Sequence, residues 1–158
     1  MTWRGRSGGH APCGTSVRDL GYREADCAIL RVARHYFSSF AHPAGQGWVA
    51  GIATAIDEFG QARGPQIAVA VLSVVQAMRC TRQSGFQFNA PECEVCSVHV
   101  TPHEQGMMST VRAFARGNPD AAHHHATLLC EGNDVTAFLA ATRTLTDLVF
   151  GAGHEMNV

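Results

Sequence analysis

From Tyr22 onward the apolar residues Ala25, Ile29, Val32, Ala33, Tyr36, Phe37 and Phe40 recur at spacings of three and four, which predicts one amphipathic helix. The segment AHPAGQG ends it. A second stripe of Trp48, Ile52, Ala55, Ile56 and Phe59 predicts a second helix, with Gly60 at the left-handed position that commonly closes one. Pro65 suits the opening turn of a third helix, because the amide it lacks has no partner there. The stripe of that helix is Ile67, Val71, Val74, Val75 and Met78, and its opposite side still carries Val69 and Leu72. A helix apolar nearly all round is expected at the centre of the fold. Cys80 falls at its end.

The fourth helix opens at TPHE: Thr101 caps, Pro102 takes the first helical position and Glu104 closes a capping box, with Gly117 as the stop after Arg116. The same punctuation recurs at Asn118, Pro119 and Asp120, and Gly132 stops the fifth helix after Cys130. A last helix from about Asn133 displays Val135, Phe138, Leu139, Leu145 and Val149. Between the third and fourth helices, TRQSGFQFNAPECEVCSVHV reads as an irregular connection of about 20 residues, a length that usually has something functional to organise it. No strand pattern competes and no internal repeat is present. The pattern predicts an all-α single-domain bundle of five or six helices with a long Cys-containing connection. Residues 1–18 read as a flexible leader, 19–151 as the helical domain and 152–158 as a tail.

Composition narrows the class. A chain of 158 residues fits one domain, and 46% hydrophobic against 16% charged residues describes a packed protein. All twelve basic residues are arginine and the net charge is -1, which argues against a general nucleic-acid binder. The longest apolar run, Ile67 to Met78, has twelve residues, short of the roughly 20 a membrane helix needs. No membrane span is expected. MTWRGRSGGHAPCGTS lacks the apolar centre of a secretory signal, so a cytoplasmic location is expected. Six cysteines in such a chain favour free thiols or metal ligands over a disulfide framework.

The chemistry concentrates in PECEVCSVHVTPHEQ, residues 91–105. Two cysteines separated by two residues can place both sulfurs on one ion, and backbone amides in the turn between them donate to the thiolates. Cys93 and Cys96 supply half of a tetrahedral zinc site. His99 and His103 are the nearest further donors, yet the capping box at Thr101 leaves the first outside the helix and the second inside it. The sharper set takes Cys80 and Cys130 from two helix ends, with His99 as the substitute for any one thiol. An iron-sulfur cluster is the alternative for four cysteines, and a redox-active thiol pair is another. No thioredoxin-like βαβ unit is visible around the pair. Cys27 and Cys130 also suit ordinary core filling.

Other features add little. The run His123 to His125 cannot converge on one ion, since consecutive helical residues point about 100° apart, and two of the three are expected in solvent. Arg79, Arg82, Arg112 and Arg116 are candidates for a small positive patch, or simply for helix-end arginines. No glycine-rich phosphate loop, nucleophile elbow or paired helical carboxylates indicate an enzyme. The sequence points to a small zinc-binding regulatory or interaction protein with a protein partner, or alternatively a redox or iron-sulfur sensor.

Overall fold

The computed structural model describes residues 1–7 and 14–151. In chain order it contains β1 (Trp3–Arg6), β2 (Thr15–Ser16), α1 (Glu24–Ala41), α2 (Gly47–Thr81), β3 (Phe86–Asn89), α3 (Glu94–Ser97), β4 (His99–Val100), α4 (Pro102–Ala115), α5 (Pro119–Leu129) and α6 (Thr136–Phe150). A 3₁₀ turn at Pro43–Gly45 joins α1 to α2. The protein is mostly helical, as its periodicity predicts. The tail 152–158 and Cys13 lie outside the described residues.

The helices form where the caps and stripes place them. Thr101 Oγ1 accepts from the Glu104 amide at 3.2 Å and the Glu104 carboxylate accepts from the Thr101 amide at 2.9 Å, which completes the expected capping box. Asn118 caps α5 through the Ala121 amide at 3.0 Å. The stripes close a core in which Ile29, Val32, Tyr36 and Phe37 of α1 meet Ile67, Val71, Val75 and Met78 of α2, with Met108, Val111, Phe138 and Leu145 from the later helices. The α1–α2, α2–α6 and α4–α5 pairs are the main helix packings.

The predicted second and third helices are two parts of α2, separated by a break at Gly60 rather than by a loop. Gly60 has φ 83 and ψ 166, a conformation that side-chain-bearing residues avoid. Helix resumes at once, and Pro65 lies within it instead of opening it. At the bend Gly64 runs against the preceding segment, where an added Cβ would fall 2.5 Å from the Ile56 Cα.

The strands depart from the expectation of helices alone. β1 pairs in parallel with β3, matching Trp3 to Phe86 and Gly5 to Phe88, and β2 pairs antiparallel with β4. The expected leader 1–18 thus contributes two strands to the fold through its described residues. The indole of Trp3 stacks on Phe37 and Phe40 at 5.3 and 5.5 Å and tilts against Phe86 at 5.2 Å. Phe86 and Phe88 point to the same side of β3, as alternate strand residues must, and both are buried against Phe37. The connection between α2 and α4 is therefore built rather than irregular: one strand, one helical turn and a second short strand.

Candidate functional site

β3 delivers the chain to Asn89 at the interior, and a tight turn follows in which the Cys93 amide donates to the Ala90 carbonyl at 3.1 Å. Cys93 then stands at the N-cap of α3, and its Sγ accepts from the Cys96 amide at 3.3 Å. The Ser97 amide returns to the Cys93 carbonyl at 2.9 Å and the Ser97 hydroxyl donates to the Glu94 carbonyl at 2.6 Å. The result is a compact knuckle with Cys96 buried and Cys93 half-buried. An amide that donates to the first sulfur stabilises its thiolate form, which is the form that ligates metal.

A buried arginine holds this knuckle to the helices. Arg34 lies 1% exposed on α1, and its guanidinium donates to the Ser97 carbonyl at 3.0 Å, to the His99 carbonyl, and to both oxygens of Glu104 at 2.8 and 3.0 Å. Glu104 also accepts the Asn89 amide at 3.0 Å, and the Asn89 side chain donates to the Cys96 and His99 carbonyls at 3.3 and 3.0 Å. Three carbonyls and two amides of the connection are thus satisfied by two charged side chains and one amide side chain. From the other side, the Val17 amide donates to the Val98 carbonyl at 2.9 Å and β2 pairs with β4.

The other sequence candidates lie at separate places. Cys80 is exposed on the last turn of α2, where its sulfur accepts from Gln76 Nε2 at 3.4 Å. Cys130 is buried at the end of α5, and desolvation pushes its thiol up to about 11. That helix end is tied to the start of the connection, since Arg82 donates to the Leu129 carbonyl and Asn133 Nδ2 to the Thr81 carbonyl at 3.0 Å. The knuckle follows the far end of β3, and four strand residues span roughly 13 Å. Among the described residues, no group of three or more His, Cys, Asp and Glu side chains is placed to hold a metal ion. Cys93 and Cys96 come together; Cys80 and Cys130 do not join them.

The two histidines differ. His99 Nδ1 donates to the Val95 carbonyl at 2.9 Å, which leaves Nε2 with the lone pair a metal would use. His103 faces away into the α4–α5 side, with its Nδ1 accepting from the Gln87 amide at 2.8 Å. His123 and His124 are exposed, as expected of two members of that run. Three of the four arginines are engaged within the fold: Arg82 is buried, Arg79 lies over the Phe40 ring, and Arg112 is committed to the Leu20 and Gly21 carbonyls and to Asp26, whereas Arg116 is exposed.

Periodicity and motifs single out neither Arg34 nor Asn89, and they mark Glu104 only as a cap. Arg34 carried a signal, because it stands between Leu30 four residues before it and Phe37 three after it, on a buried helix face. A charge at such a position requires a partner in the interior. Comparison with models of known families, with curated proteins and with solved structures finds no match.

Proposed function

We propose that this is a small helical zinc-binding protein, regulatory or interacting in role, in which Cys93 and Cys96 supply two ligands and the ordered knuckle presents a surface to a protein partner. The observation that carries the reading is the hydrogen bond from the Cys96 amide to Cys93 Sγ at 3.3 Å, within a single turn that holds both sulfurs. His99 keeps a lone pair on Nε2, although its ring is not grouped with the two sulfurs in the arrangement described. Val95 and Val98 are 70% and 50% exposed beside Cys96, next to the exposed Glu92 and Glu94, and a partner surface with apolar and basic groups would complement them.

The test is anaerobic purification followed by elemental analysis and a visible spectrum. One zinc per chain without colour is expected, and it is lost from both Cys93→Ser and Cys96→Ser. Single substitutions at Cys80, His99 and Cys130 test the other ligands expected from the sequence. Brown absorbance identifies an iron-sulfur cluster in place of zinc. A metal-free protein whose Cys93 and Cys96 cycle between dithiol and disulfide, or full zinc retention in both serine variants, overturns the proposal.

A further inference from the structure

Two nitrogen donors oppose each other beside the first turn of α4. The Gln87 amide donates to His103 Nδ1 at 2.8 Å, so Nδ1 holds the lone pair and the proton of the neutral ring is on Nε2. Arg82 Nη2, which has only protons to offer, stands 3.1 Å from that Nε2. A second proton on the imidazole would break the Gln87 contact, and burial together with the Arg82 charge already holds the His103 pKa below its ordinary value. Two facing N–H groups repel unless one acceptor serves both.

Arg82 is 8% exposed and its guanidinium is incompletely matched. Nη1 donates to the Leu129 carbonyl and Nη2 to the Gly85 carbonyl, whereas Nε has no partner among the described residues. The Glu131 carboxylate is 3.7 Å from Nη2 and accepts from the Gln83 amide at 2.9 Å and the Ser84 amide at 3.2 Å, so most of its lone pairs are already engaged. Both Arg82 and His103 line a cavity of about 400 Å³ that also includes Ser109, His125, Leu128 and Leu129. Its polar groups are donors or can donate, and its far wall is apolar.

We propose that this cavity binds an oxyanion, the phosphate or carboxylate group of a small molecule, whose oxygen accepts from His103 Nε2 and Arg82 Nη2 together. The volume exceeds that of one phosphate, and the side chain of Leu128, 66% exposed, offers contact for a short apolar body. Arginine beside histidine in a recess suits an oxyanion because it combines fixed charge with directed N–H groups.

Titration of the whole chain with inorganic phosphate and, separately, with acetate, at ionic strength held constant with chloride, is followed by NMR at the amides of His103, Gly106 and Ser109 and at the His103 ring. Saturable shifts confined to this cavity are expected, and the tighter of the two anions identifies the head group. Arg82→Lys should weaken binding about tenfold through loss of the forked donor. Because Arg82 also supports the fold, Ser109→Leu serves as a second variant that fills the cavity and leaves the Arg82 contacts in place. It should retain the wild-type spectrum elsewhere and lose the saturable shifts. Shifts no larger than those caused by chloride, or saturable shifts that persist in Ser109→Leu, overturn the proposal.

Discussion

Arg34 on α1 and Glu104 on α4, seventy residues apart in the chain, meet as a two-pronged ion pair with N–O distances of 2.8 and 3.0 Å, and both side chains are excluded from solvent. Neither charge faces the other alone. Arg34 collects the carbonyls of Ser97 and His99, and Glu104 collects the amides of Asn89 and Thr101, so the pair fastens the knuckle between two helices. This completeness is what allows two charges to be buried, because each remaining donor or acceptor would otherwise cost desolvation without return.

Removing one partner should therefore be far worse than removing both. Arg34→Met or Glu104→Leu alone is expected to destabilise by about 3 to 5 kcal/mol, since each leaves an uncompensated buried charge. The double variant should recover part of that loss, although the backbone groups of the knuckle stay unsatisfied. Urea denaturation of the three variants measures it. Single substitutions costing under about 1 kcal/mol would contradict a buried, fully paired arrangement.

The bend in α2 makes a separate demand. Gly60 sits at φ 83 and ψ 166 with open space around it, so an added methyl group meets no atom and the cost of Gly60→Ala is backbone strain alone. A loss of about 1 to 3 kcal/mol is expected. Gly64→Ala should also destabilise, for a different reason, because its Cβ would collide with the backbone of Ala55 and Ile56. Thermal melts separate these from Gly45→Ala, where neither strain nor contact applies and little change is expected.

Glu131 gives a pH dependence with a definite sign. Hydrogen bonds from Ser84 and Gln83 lower its pKa from 4.5 to about 2, so folding favours the ionised carboxylate. Its contribution is fully present above pH 4.5 and is lost progressively as the pH falls towards 2. The melting temperature of the wild type should exceed that of Glu131→Gln at neutral pH, and the gap should close across this acid window. A gap that is constant with pH would mean that the carboxylate charge contributes nothing.

How far the sequence foretold this structure depends on the distance over which each feature is encoded. Helix periodicity and caps are local, and Thr101, Glu104 and Asn118 act where the residue order alone places them. The pairing of Trp3 to Phe86 is not local. WRGR carries no alternation by which a strand could be recognised, and it becomes one because the Trp3 ring finds Phe37, Phe40 and Phe86. Within the candidate site the Cys93–Cys96 spacing was legible for the same local reason. The clamp formed by Arg34, Asn89 and Glu104 was not, since three distant segments make it.

Thiol reactivity tests the placement of the cysteines directly. Cys80 is exposed, Cys27 is half-buried with its pKa raised chiefly by desolvation, and Cys130 is enclosed with its thiol pushed up to about 11. The thiolate is the reactive form, so burial and protonation act together on Cys130. In the native protein at neutral pH, iodoacetamide should label Cys80 first and Cys27 more slowly, and should reach Cys130 only on unfolding. Cys93 and Cys96 carry the functional part of the test: under the zinc reading they are protected until a chelator is added and then react as a pair. Peptide mass spectrometry after timed labelling reads each site separately. Labelling of Cys93 and Cys96 at equal rates with and without chelator would remove the metal from the knuckle, whereas early labelling of Cys130 would mean that the end of α5 opens far more readily than its buried contacts imply.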